Sequence, residues 1–257
     1  MAEDRRAWTL TDFMPPSQYP PPASSSVRDL TSDQIDVVFQ PIVDLSDGSC
    51  FAVEGLVRCN QEEFRSPLTL FEHAVAQEAC GRLGRTIREV MFEHIQDTAA
   101  FVNVHPKELT SRWLVRPDDP IGFYEHGIYI EVTEATAFEY FDICMSVLNE
   151  VRQRTGAQIV IDDFGAGYSN LARIVDLEPS HVKLDISLVH GIDKQPRKQK
   201  LAASLVHLCS ELGAAVVCEG VETLDELKAV RDTGAQFAQG FFLARPARPI
   251  PEVYWPF

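Results

Sequence analysis

The sequence contains no apolar stretch approaching the roughly 18 residues that cross a bilayer as a helix. Its first residues, Met1-Ala2-Glu3-Asp4-Arg5-Arg6, lack the apolar core of a secretory signal. There is no CxxC pair either. Cys50, Cys59, Cys80, Cys144, Cys209 and Cys218 are irregularly spaced, several of them within apolar patterns. They read as reduced, buried thiols and predict a cytoplasmic protein with no membrane partner. Positive charge is scarce: Lys plus Arg number 23 against 38 Asp plus Glu, a formal net charge of -15. Such a surface repels polyanions and excludes the coating of a nucleic-acid polymer, while a small anionic ligand stays compatible if metal ions supply positive charge locally. No His or Cys set has the pattern of a zinc site.

What is present is ordinary globular material. The chain has 257 residues, 45% hydrophobic and 24% charged, enough for one barrel-sized domain. Residues 1–30 include Met14-Pro15-Pro16-Ser17 and Pro20-Pro21-Pro22-Ala23-Ser24-Ser25-Ser26, a Pro/Ser-rich composition that predicts a poorly ordered tail or linker. Within it Trp8, Leu10, Phe13 and Met14 form a small apolar cluster able to dock on the domain or a partner. Residues 31–257 are predicted to form the barrel.

Apolar strands and amphipathic helices alternate from Gln34 onward. Strands are predicted at Asp36–Ile42, Phe51–Val57, Ala100–Val104, Ile128–Val132, Gln158–Asp162, His181–Leu184, Ala214–Cys218 and Gln236–Gly240. Helices are predicted at about 68–97, 106–112, 138–154, 169–176, 198–212 and 223–232. Thr223 with Glu226 makes a capping box for the last of these, and Gly213 and Gly234 are placed to end helices. Strands joined mostly through helices indicate an α/β fold, a (β/α)8 TIM-type barrel. The first connection departs from that scheme. Only Val43 to Cys50 separate strands one and two, with an Asp47-Gly48 turn signal. A parallel crossover needs about a dozen residues or more, so the first strand is predicted antiparallel to the others.

Seven of these eight strands end at or near a polar residue: Glu54, Asn103, Glu131, the pair Asp162-Asp163, Lys183, Glu219 and Gln239. Each has a structural explanation when taken alone, such as a solvent-facing acid or a turn residue. Together they differ, because a parallel barrel gathers strand C-terminal ends on one face. Carboxylates with an amide oxygen are hard ligands suited to Mg²⁺ or Mn²⁺. The adjacent acids Asp162 and Asp163 can bracket two metal ions, an arrangement used in phosphoester hydrolysis. After them, Phe164-Gly165-Ala166-Gly167-Tyr168-Ser169 has two glycines in three positions, which permits a tight, adjustable loop. Lys183 and Asp185 share one side at strand spacing. A Lys reaching the site can position a water or stabilise developing phosphate charge. Glu222 adds an acid after Glu219. His105, near Asn103, reads as structural.

These segments resemble the EAL-domain family of cyclic di-GMP phosphodiesterases over residues 34 to 248. The likeness rests on Phe39-Gln40-Pro41-Ile42, Glu54-Gly55-Leu56-Val57-Arg58, Asn103, Glu131-Val132-Thr133-Glu134, Asp162 through Ser169, Lys183-Leu184-Asp185, Glu219 through Thr223, and Gln239-Gly240-Phe241. The resemblance implies a modified barrel with an antiparallel first strand and hydrolysis of cyclic di-GMP to linear pGpG with two Mg²⁺ or Mn²⁺ ions. It implies that Glu54, Asn103, Glu131 and Asp162 hold one metal and that Asp162 and Asp163 hold the second. Lys183 would handle the attacking water and Glu219 would support the metal-water network. Gln40, Arg58, Asp185 and Gln239 would meet the substrate, while Glu134 and Glu222 would support the loop. A homodimer and control by a protein partner belong to the same expectation. The alternative is a catalytically silent cyclic di-GMP receptor on this fold.

Four departures stand out. Gly55 replaces the alanine of the family's signature, Cys59 replaces a Trp, and His105 replaces a small Ser. The 49 residues from Glu54 to Asn103 (103 − 54) make a short connection. None of them removes a candidate ligand.

Overall fold

The computed structural model describes residues 26–133, 141–166 and 175–257. Eight strands close into a barrel in sequence order. They are β1 (Ile35–Asp44), β2 (Cys50–Cys59), β3 (Ala100–Asn103), β4 (Ile128–Thr133), β5 (Gln158–Phe164), β6 (His181–Leu184), β7 (Ala215–Cys218) and β8 (Phe237–Ala238). β1 runs antiparallel to both neighbours, with Ile35 opposite Cys59 and Val43 opposite Ala238. All other pairings are parallel. The short Asp47-Gly48 connection therefore forms the expected hairpin.

The described α-helices are α1 (Pro67–Ala76), α2 (Cys80–His94), α3 (Pro106–Thr110), α4 (Phe141–Thr155), α5 (Ile186–Val189), α6 (Pro196–Glu211) and α7 (Leu224–Asp232), with short 3-10 turns between some of the elements. The helix expected over 68–97 is two. Glu78 adopts a left-handed φ of 52° between them, and neither Gly nor Pro marks the break in the sequence. The expected box at α7 is present: Thr223 Oγ1 accepts from Glu226 N at 3.2 Å and Glu226 Oε2 accepts from Thr223 N at 3.1 Å. The last strand is shorter than expected. Beyond Ala238 the chain presses Gly240 onto the Val221 backbone, where a Cβ would fall 2.1 Å from a carbonyl oxygen. The helix expected over 169–176 lies mostly outside the described residues.

Valine, isoleucine, leucine and alanine dominate the buried core between the strands and the outer helices, each large apolar side chain contributing about 1.5–3 kcal/mol. The N-terminal mouth of the barrel is closed by rings. Phe51 stacks on Phe237 at 4.3 Å, Phe101 stacks on Tyr129 at 4.6 Å, and His181 meets Tyr129 edge-on at 4.9 Å. That plug leaves the opposite mouth for chemistry. All six cysteines are free, and all but Cys50 are buried. Val27 and Leu30, just before β1, are already buried in the core, whereas residues 1–25 lie outside those described. Among the described residues no helix is long and apolar enough to cross a membrane.

Candidate active site

The strand-end residues meet in a cavity of about 430 Å³ at the C-terminal mouth of the barrel. Lys183, at 1% exposure, is its centre. Its ammonium lies 2.6 Å from Glu131 Oε1, 2.7 Å from Glu219 Oε1, 3.2 Å from Asp162 Oδ1 and 3.4 Å from Glu54 Oε2. Burial opposes its charge, but the four acids outweigh that and hold its pKa well above the ordinary lysine value.

Two adjacent residues of a regular strand point to opposite faces, so Asp162 and Asp163 should not both reach this cavity. A bulge resolves the conflict. Ile161 pairs with Val182 and Phe164 with Leu184, leaving both aspartates opposite the single residue Lys183. Asp163 takes the left-handed φ of 57° that this requires. As a result Asp162, Asp163 and Glu219 each offer an oxygen, all within 4.8 Å of one another.

Glu54 lies mid-strand rather than near a strand end, since β2 continues to Cys59. Both of its oxygens are engaged: Oε1 accepts from Asn103 at 2.9 Å and Oε2 accepts from Gln239 at 2.7 Å. The same Gln239 amide donates to Gln40 Oε1 at 3.1 Å, and Gln40 donates to the Ala244 carbonyl at 3.0 Å. Gln40 and Gln239 thus sit behind Glu54 as its supports as well as lining the cavity. Asp185 lines the cavity and caps α5 through Ser187 N at 2.9 Å. Glu222 also lines it. Arg58 stands farther along β2 on the side of Glu54, half-buried, and donates to the Val57 carbonyl at 2.8 Å. Glu134 lies outside the described residues.

The acids are strained by their surroundings. Burial first, then Glu54 and Asp162, push Glu131 well above the usual carboxylate range against the pull of Lys183. Burial raises Asp162 as well, with Glu54 adding to it and Lys183 opposing. Asp163 rises to about 9 through burial and its neighbours Asp162 and Glu219. Glu219 rises to about 8, again through burial first, with Lys183 opposing and Asp162 and Glu54 adding to it. Glu131 Oε2 and Asp163 Oδ2 are buried without a hydrogen-bond partner. Unpaired buried carboxyl oxygens are costly, and a divalent cation is the partner that this donor set fits.

Sequence reasoning missed three parts of the site. Phe71, Ile87 and Met91 form an apolar wall beside the acids, yet in sequence they read as an ordinary core-facing helix stripe. Ile186 lines the cavity from a helix too short to show a period. Glu226 signalled only a cap, but it also accepts from Gly191 N at 2.7 Å and Glu222 N at 2.9 Å. His105 is structural: it begins α3, accepts from Lys107 N at 3.1 Å and stacks on Phe71 at 5.6 Å.

The model of the EAL domain matches residues 24–246. The chain is 30% identical over 255 residues to the cyclic di-GMP phosphodiesterase RocR of Pseudomonas aeruginosa, covering 91% of this chain and 62% of that protein. Among solved structures it is similar to Klebsiella pneumoniae BlrP1 in a calcium/cyclic di-GMP complex, with a TM-score of 0.76 and 30% identity over 87% of this chain and 59% of that one. The manganese/cyclic di-GMP complex of BlrP1 gives a TM-score of 0.72 at 30% identity, over 85% and 57% of the two chains. The chain therefore spans about three fifths of the length of these relatives. With the family model matching most of its length, on a closed barrel whose first strand runs antiparallel, the chain belongs to the EAL domain family.

Proposed function

We propose that this domain hydrolyses cyclic di-GMP to linear pGpG with divalent metal. The observation that carries this reading is the convergence of Glu54, Glu131, Asp162 and Glu219 on one lysine, with Asp163 beside Asp162 and Glu219 and buried carboxylate oxygens left unpaired. Once metal binding displaces their protons, five carboxylates against one ammonium would leave four negative charges (5 − 1). Two divalent ions neutralise that excess. Glu54, Asn103, Glu131 and Asp162 would hold one Mg²⁺ or Mn²⁺, and Asp162 with Asp163 the second. When bound, such ions polarise a phosphodiester and lower the pKa of water. The complexes of BlrP1 with calcium or manganese and cyclic di-GMP support the choice of ligand.

The remaining work falls to side chains. Lys183, 2.6–3.4 Å from four acids, is placed to orient or help deprotonate the attacking water and to offset charge developing on the phosphate. Glu219, 2.7 Å from Lys183 at the wall of the cavity, is the group placed to take the proton of the attacking water. The water oxygen forms the new P–O bond, one ring ester bond breaks, and the leaving oxygen takes a proton from solvent. Gln40 and Gln239 keep Glu54 in place. Arg58, farther along β2, meets the phosphate or a base edge, and Asp185 lines the pocket. The barrel domain is read as residues 31–257 with Val27 and Leu30 packed into its core, and a homodimer, a regulatory protein partner and a cytoplasmic location are parts of the same reading.

The test is incubation with cyclic di-GMP and Mg²⁺ or Mn²⁺, followed by chromatography for pGpG and a parallel binding measurement. Product is expected. Binding without product would assign a receptor instead, and no binding would remove the substrate.

A further inference from the structure

Two glycines follow the acids on either side of β6. Gly165 stands two residues after Asp163 and Gly220 directly after Glu219, with φ of +95° and +72°. Positive φ alone favours glycine at both, but it does not account for what fills the space beside them. A Cβ on Gly165 would fall 2.5 Å from Leu188 Cδ1, and one on Gly220 would fall 2.3 Å from Ile186 Cγ1. Both occupants belong to α5. One short helix therefore presses on the backbone of both acid-bearing loops.

A four-residue helix has no stability of its own, so its position comes from anchors. At its start Asp185 Oδ1 caps Ser187 N, and Asp185 N donates to the Phe164 carbonyl at 3.2 Å, tying the helix to the loop after β5. At its end Lys198 donates to the carbonyls of Ser187 and His190, each at 2.8 Å. Gly191 N donates to Glu226 Oε1, while Glu226 Oε2 accepts from Glu222 N and Thr223 N. The helix is thus fastened to the loop after β5 at one end and to the loop after β7 at the other.

We infer that α5 is a spacer that sets the separation of the Asp163 and Glu219 carboxylates, with Ile186 and Leu188 as positioning residues. Packed interiors resist compression, so a side chain wedged against a loop backbone fixes where that loop stops. Metal ligands must stand within a few tenths of an ångström of their places, which a loop free to relax does not guarantee. This inference rests on the metal-site reading above.

The experiment uses the full chain, freed of metal, as wild type, Ile186→Ala, Leu188→Ala, the conservative Ile186→Val and Leu188→Met, and the control Leu201→Ala on the exposed side of α6. Mn²⁺ binding is measured by titration calorimetry, beside kcat and KM for cyclic di-GMP and the thermal midpoint without metal. Each alanine variant is expected to bind its weaker Mn²⁺ about tenfold less tightly, as loss of support around a metal site does. Its kcat should fall while KM stays within about twofold. The conservative variants and Leu201→Ala should match wild type. Alanine variants that bind Mn²⁺ as wild type does would overturn the spacer and leave the metal-site reading standing. A wild type that binds no Mn²⁺ would overturn that reading itself. Should Ile186→Ala not fold, Leu188→Ala, at a half-buried position, carries the test on its own.

Discussion

Asp163 stands beside Asp162 in a bulge rather than a regular strand, so two neighbours in sequence turn their carboxylates into the same cavity. The left-handed backbone at Asp163 is tolerated by Asn and poorly by a β-branched residue. Asp163→Asn should therefore weaken Mn²⁺ binding by calorimetry without lowering the thermal midpoint of the metal-free protein. Asp163→Val should do both, costing at least about 1–2 kcal/mol for the backbone alone. Equal midpoints for the two variants would remove the argument from the bulge.

The pH dependence of stability follows from the raised acids. Asp163 and Glu219 titrate at about 9 and about 8 in the fold, above their ordinary values, so the folded chain keeps protons that the unfolded chain has lost. Stability from these groups is present below the ordinary carboxylate range and is lost as pH rises through about 8 and 9. Lys183 titrates well above 10.5 and stays charged throughout. His105 and His181, pulled down to about 3 and about 4 by burial, stay neutral. In chelator, calorimetry should show the thermal midpoint falling from pH 7 to 9, while Mn²⁺ binding tightens as protons leave the ligands. A midpoint that is flat or rises would contradict this.

Arg88 is a purely structural counterpart to Lys183. At 1% exposure it reaches Glu108 at 2.8 Å and Asp119 at 2.7 Å, and Glu108 in turn accepts from His105 N at 3.2 Å. Arg88→Met leaves two buried acids without their cation, a loss of about 3–5 kcal/mol. At about 2–4 °C per kcal/mol the midpoint should drop by about 6–20 °C. A drop under about 2 °C would show that the network contributes little.

Gly55 faces Met91. A Cβ at Gly55 would lie 2.5 Å from Met91 Sδ, so the methionine fills the space an alanine methyl would take. Gly55→Ala should cost about 1–3 kcal/mol as overpacking. Combined with Met91→Ala it should cost less than the two single changes summed, by at least about 0.5 kcal/mol in denaturant melts. Strict additivity would separate the two positions.

The barrel was legible because its signals are local: a link too short for a crossover, apolar runs ending on acids, and a capping box at Thr223. The candidate ligands were legible because ionisable groups among buried strand residues need a reason. What escaped depends on tertiary geometry. The Asp162-Asp163 bulge leaves no mark in periodicity, and Glu78 breaks a helical stripe with no helix-breaking residue. Arg88 looks like any arginine on an amphipathic helix until Glu108 and Asp119 are folded against it. The roles of Gln40 and Gln239 behind Glu54 join residues 199 and 185 positions apart, a distance no local pattern spans.

Glu54 accepts from Asn103 and Gln239 and lies within reach of Lys183, so it joins β2 to β3, β6 and the segment after β8. Loss of outer partners at metal sites costs about 10–100-fold, and loss of a ligand should cost at least the upper end of that range. The decisive measurement is pGpG formation from cyclic di-GMP in Mn²⁺ by wild type and Glu54→Ala, with folding checked by circular dichroism. The expected result is turnover by wild type, abolished by chelator, and at least about 100-fold slower turnover by a folded Glu54→Ala. A Glu54→Ala variant that hydrolysed cyclic di-GMP at the wild-type rate would contradict the assignment of the metal site.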